Sequence, residues 1–237
     1  MKIKFLVVAL CINFVSCKVP SLVGDGAGSL SAQLLPATVG VLQSGNFVES
    51  GVPELEEKIR LSVQKKPFTK RSLGKYNKKV LEQKQKLEII DSLDIRPFFY
   101  KIEVADKIGL LTALNHPENF NLRIFLETTQ GNLIVSSLNI FFPQEVAALI
   151  DQASDVYLIK NKQSSYSLEL LNKDRSRTVI DFKEGTSFDY EFSAFCWREN
   201  NRQQLEIGAF RKKGKSCSGE TEKSPEKFES EDIFDKM

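Results

Sequence analysis

The chain has 237 residues, of which 41% are hydrophobic and 27% charged, and its net charge is +2. That composition fits a globular protein of one large domain or two small ones. The near balance of 33 basic and 31 acidic residues argues against nucleic-acid binding, which calls for a net basic face.

The first seventeen residues read MKIKFLVVALCINFVSC. Lys2 and Lys4 form a positive start, and residues 5–15 form an apolar run interrupted only by Asn13. Ser16 and Cys17 close it with small side chains. This is the layout of a secretory signal, and its apolar run is too short for a bilayer, which takes about 20 residues. Removal of Lys2 and Lys4 with the signal would bring the net charge to zero. The closing residues Phe14, Val15, Ser16 and Cys17 resemble the lipobox of bacterial lipoproteins, although Phe14 stands where that family most often has Leu. The resemblance covers these seventeen residues alone. It implies cleavage before Cys17, acylation of Cys17, and a membrane contact made through that lipid anchor. Lys18 follows where an inner-membrane retention signal would often place an acid, so the resemblance further implies the outer membrane.

Residues 17–53 are rich in Gly, Pro and Ser and read as a flexible tether. Within them, residues 24–28 (GDGAG) lack the flanking strand and helix that a phosphate loop requires. Residues 54–95 read as a basic helical segment. Pro53 suits a first helical position and Glu54, Glu56 and Glu57 a helix start. Pro67 interrupts, and a long helix is expected from about Ser72 to Leu93, with Leu73, Tyr76, Val80, Leu87 and Ile90 on one stripe. Residues 65–86 carry nine basic side chains against one acid, Glu82. Such a run is a solvated helix face or a contact for an anionic surface.

Residues 96–217 read as an α+β domain. Alternation at residues 98–104 predicts a strand, and residues 105–115 a helix with Ile108, Leu111 and Leu114 inward. Leu122, Ile124 and Leu126 predict a second strand and residues 133–142 a third. Pro143 opens a short helix with Val146, Leu149 and Ile150 inward, and residues 156–160 form a fourth strand. This order matches the ferredoxin-like βαββαβ pattern. A β-meander follows over residues 166–210, with turns at residues 172–174, 185 and 200–201. The expected fold is therefore α+β: a mostly antiparallel sheet, a long N-terminal helix and two short helices. Residues 218–237, acidic and poor in apolar side chains, read as a disordered tail.

Cys196 and Cys217 are the two cysteines left in the mature domain. They suit one disulfide in an oxidising compartment, or else two buried thiols. No Asn-x-Ser/Thr sequence occurs.

Candidate chemistry is sparse. His116, the one histidine, precedes Pro117 and forms neither a metal cluster nor a triad without partners at a recognisable spacing. Asp189 and Glu191 share one strand face about 7 Å apart, a spacing open to glycoside hydrolysis but commoner on a plain surface. Phe195 and Trp197 fall on the same alternation, which makes Asp189, Glu191, Phe195 and Trp197 a candidate binding surface. No catalytic residue, metal or cofactor is expected. The reading is a non-enzymatic envelope lipoprotein with an envelope protein as partner. The alternatives are an envelope hydrolase with a site near Asp189, Glu191 or His116, and a carrier of a small apolar ligand in a cavity of several hundred cubic ångströms.

Overall fold

The computed structural model describes residues 33–82, 97–161 and 165–228. The signal, Cys17 and most of the expected tether lie outside them, as do the second half of the expected long helix and residues 229–237. No helix among the described residues is long and apolar enough to cross a membrane.

Ten strands form one antiparallel sheet. They are β1 (Val39–Gln43), β2 (Asn46–Gly51), β3 (Ile59–Pro67), β4 (Phe98–Val104), β5 (Asn132–Phe141), β6 (Ala153–Lys160), β7 (Tyr166–Asn172), β8 (Arg177–Asp181), β9 (Thr186–Glu199) and β10 (Leu205–Lys212). The main path runs β10-β9-β5-β4-β3-β6-β7-β8, and the β1–β2 hairpin joins β5 through β1. The four helices are α1 (Lys70–Glu82), α2 (Lys107–Asn115), α3 (Phe120–Thr128) and α4 (Gln144–Gln152). The α+β class with a mostly antiparallel sheet is thus present.

Three segments differ from the sequence expectation. First, residues 39–51 of the expected tether form a hairpin. Its turn, Ser44-Gly45, has φ of 50° and 84°, the two positive values that match the twist of paired strands. Gly40 is needed for close approach: a Cβ there would meet Val48 O at 2.1 Å and the Phe47 ring at 2.7 Å. Second, residues 59–67 form a strand, not a helix. Ile59 and Leu61 are buried while Arg60 is exposed, and the strand fills the place between β4 and β6. Third, Leu122, Ile124 and Leu126 lie on α3. Over so short a stretch, alternation and helical spacing coincide, and Leu122, Phe125 and Leu126 fit the helix as well. With residues 120–128 helical, the chain order is β4-α2-α3-β5-α4-β6, which is not βαββαβ.

The α1 helix starts at Thr69, whose hydroxyl accepts from Ser72 N while Ser72 Oγ accepts from Thr69 N, a reciprocal cap. Its stripe of Leu73, Tyr76 and Val80 faces the sheet as expected. It meets Phe68, Phe99, Phe141 and Phe188, with Tyr76 5.3 Å from Phe141 and 5.7 Å from Phe188 between ring centroids. The other sheet face carries the main core, closed by Leu110, Leu114, Leu126, Val146 and Ile150 from α2, α3 and α4. On α2, Leu110 and Leu114 point inward and Ile108 is 79% exposed, which reverses the expected role of Ile108. On α4, Leu149 is likewise exposed.

Residues 218–228, the first half of the expected tail, are ordered. Trp197 and Glu222 exchange both backbone hydrogen bonds at 2.8 Å. A 3-10 turn at Pro225–Phe228 brings Phe228 against the main core. The segment is tied at its root by the disulfide between Cys196 and Cys217, whose Cα atoms lie 5.8 Å apart.

Candidate functional site

The surface expected around β9 comes apart. Cross-strand rows set Lys101 beside Asn139 and Asp189, and Glu103 beside Ser137 and Glu191. This wet face lies under α1, and lysines claim its acids. Lys75 Nζ donates to Asp189 Oδ1 at 2.7 Å, and Asn139 Nδ2 to its other oxygen at 3.3 Å. Lys101 Nζ donates to Glu191 Oε1 at 2.8 Å and lies 3.9 Å from Glu103. Phe195 and Trp197 are instead buried in the main core, 4% and 3% exposed. The Phe195 ring lies 5.9 Å from that of Phe210. The four residues therefore present no common surface: two are in ion pairs and two are in the core.

A different constellation forms where the 52–58 connection meets the end of α2. Asn119 makes the junction. It is 3% exposed, its Nδ2 donates to Glu54 O and Ala113 O at 2.8 Å, and its Oδ1 accepts from Glu54 N at 2.7 Å. All its strong hydrogen-bonding groups are used, as burial demands. Tyr166 adds a second clamp, since its hydroxyl donates to Pro53 O. Burial and the Glu54 charge push the Tyr166 phenol far above its ordinary range. These clamps place the Glu54-Glu56-Glu57 stretch beside the loop that follows α2.

A cavity of about 220 Å³ opens between them, lined by Glu54, Glu56, Glu57, Asp106, Thr112 and His116. Two of its acids are already engaged. Glu54 pairs with Lys160, and Asp106 caps α2 by accepting from Gly109 N at 2.8 Å. Lys58 points away to Glu169 and over the Tyr157 ring. His116 Nε2 lies 3.4 Å from Glu56 Oε1, and His116 Nδ1 lies 3.5 Å from Glu118 N. Glu56, His116 and Glu118 bring one ligand atom each within 4.8 Å of one another. Sequence gave no sign of this group, because Glu56 stands sixty residues before His116 and an ordinary-looking acidic stretch surrounds it.

A second cavity, of about 430 Å³, lies at the start of α2 against β5, β9 and β10. Leu110, Ile134, Phe192 and Phe210 supply apolar walls, and Lys107, Lys212 and Lys213 stand at its rim. Glu103 and Glu191 line it too, but both turn to Lys101. The volume is in the range of small-molecule sites.

Asp189 lines neither cavity, whereas Glu191 and His116 line different ones. Cys17, the expected lipid site, lies outside the described residues. The chain matches no protein-family model, no curated protein and no solved structure.

Proposed function

We propose that the chain is a non-enzymatic lipoprotein of the cell envelope, held on the outer membrane through Cys17, whose α+β domain binds an envelope protein. The observation that supports this reading most is the Cys196–Cys217 disulfide, a bond that persists in oxidising compartments. It agrees with the signal-like start and the lipobox-like residues before Cys17. The ion pairs of Asp189 and Glu191 weigh against a glycosidase there, because each acid is held by a lysine rather than aimed at a shared opening. Exposed apolar side chains on neighbouring helices, Ile108 of α2 with Phe120 and Ile124 of α3, offer a contact surface for a protein.

The test is intact mass of membrane-extracted protein together with a Cys17→Ala variant. A mass beginning at Cys17 with acyl chains, and release of the variant into the soluble fraction, is the expected result. An unmodified Cys17, or a chain still carrying Met1, overturns the anchor.

A second reading is favoured by the cavity of about 430 Å³ at the start of α2. Apolar walls with a lysine rim suit a small aliphatic molecule with an anionic head, so the domain would serve as its carrier. Native mass spectrometry with a long-chain fatty acid tests it: one bound molecule, lost in Leu110→Lys, is expected, and absence of binding rejects it.

A further inference from the structure

We propose that Glu56, His116 and Glu118 form a binding site for a divalent transition-metal ion of the zinc type. The inference stands apart from the lipoprotein reading and holds or fails without it.

The first support is a distance. An N–H···O hydrogen bond is ordinarily about 2.7–3.2 Å long. His116 Nε2 and Glu56 Oε1 stand 3.4 Å apart, too far for a good one. Two ligand atoms on a tetrahedral zinc ion, each bonded at about 2.0–2.2 Å, are separated by about 3.4 Å along the tetrahedron's edge. The separation of these two atoms matches the edge of a zinc coordination tetrahedron. The Glu118 carboxylate reaches the same space, with all three ligand atoms inside 4.8 Å.

The second support is preorganisation. The three ligands come from two backbone segments that the buried Asn119 already ties together through Glu54 and Ala113. Pro117 sits between His116 and Glu118 and restricts the backbone between them. Both ligand-bearing segments are thus held in place before binding, which lowers the cost of ordering them.

Charge is the third. Glu54 and Asp106 have partners, but among the described residues no lysine or arginine pairs with Glu56, Glu57 or Glu118. Some acids elsewhere have such a partner, as Asp189 has Lys75 and Asp155 has Arg60. Among the described residues, His116 is the one cationisable side chain within ion-pair distance of Glu56.

The donor set decides the class of ion. One imidazole with two carboxylates leaves a fourth position for water and suits zinc-like ions, while calcium and magnesium call for more oxygen ligands. Binding through Nε2 moves the ring proton to Nδ1 and gives up the 3.5 Å contact from Glu118 N, which is long and weak.

The chain has one histidine, so its imidazole signals in an NMR spectrum belong to this site alone. The experiment titrates untagged full-length protein with zinc chloride while following those signals, and repeats it in Glu56→Gln and Glu118→Gln. Zinc bound elsewhere on the chain, away from His116, would leave the signals where they are. The expected result is a shift that saturates at one equivalent, is not reproduced by magnesium chloride, and weakens in each variant by more than the roughly tenfold that loss of an outer-shell partner costs. Both glutamates are solvent-exposed, and an unchanged circular dichroism spectrum will confirm that the variants fold. Unmoved imidazole signals overturn the proposal, and so does a shift that is the same in the variants or with magnesium.

Discussion

The two faces of the sheet are built on different terms. The face under α1 is small and closed: Phe68, Tyr76, Phe99 and Phe188 interlock with centroid distances of 5.0–5.7 Å, and lysine–acid pairs surround them. The opposite face is large, mostly aliphatic, and covered by three nine-residue helices. Both cavities open beside those helices. One long helix can seal a sheet with a single stripe, whereas three short ones leave junctions, and junctions are where polar groups gather. The contrast makes the α1 face an aromatic buttress and leaves the helix junctions of the other face as the more open ground.

The largest effect should come from cutting the main core. Leu158 is fully buried between β3 and β7, and Leu158→Ala is expected to cost about 4 kcal/mol. Amide exchange should quicken across the whole sheet. Phe188→Ala, on the other face, should cost about 3 kcal/mol but loosen mainly residues 70–82. If it instead speeds exchange throughout, the buttress reading fails.

Removal of the disulfide by Cys196→Ser with Cys217→Ser is expected to cost a similar amount, about 3 kcal/mol on the chain-entropy model. Limited proteolysis should then cut within residues 213–228 first. A protected segment would mean that Trp197–Glu222 pairing and Phe228 hold it unaided.

Alkaline pH acts more gently and on both faces, since burial raises the Tyr76 phenol under α1 as well. Burial pushes the Tyr190 phenol up to about 12 from its ordinary 10.0, and it also raises Tyr100 and Tyr166. A phenol kept neutral in the folded state contributes its stability in full below its unfolded value and loses it as pH rises through the folded one. Denaturant midpoints should therefore fall between about pH 10 and 12, and fall less steeply in Tyr190→Phe. Parallel slopes would contradict this role for Tyr190. The smallest effect is expected from Lys75→Met with Asp189→Asn: a half-exposed pair, still reached by solvent, contributes about 1 kcal/mol. A larger loss, read by thermal melting, would show that the pair positions α1.

Legibility followed the range of the forces. The strands β7 to β10 were readable because each has clean alternation and a polar turn at its end, as at Asn172 and Asn200. They form two hairpins, β7–β8 and β9–β10, at opposite ends of the sheet path and not the expected meander, because β9 pairs with β5 and not with β8. The stripe of α1 was readable for the same reason in another period. The hairpin at residues 39–51 was less so, since its many glycines carry the signature of a linker, although Val39, Val41, Phe47 and Val48 flank a two-residue turn. Phe195 and Trp197 looked wet by alternation, yet both faces of β9 are covered near its end, where residues 217–228 fold back.

By itself the sequence determined the α+β class, the strands β7 to β10 and the two cysteines available for a bond. Those features rest on neighbours in the chain: side-chain period, turn residues and composition. Tertiary structure alone decided that residues 59–67 are a central strand, that Lys75 takes Asp189, and that Glu56 meets His116 and Glu118. Each of these depends on a partner many residues away, 114 in the case of Lys75 and Asp189. A local pattern carries no record of which distant segment will supply the opposite charge, the missing strand or the third ligand.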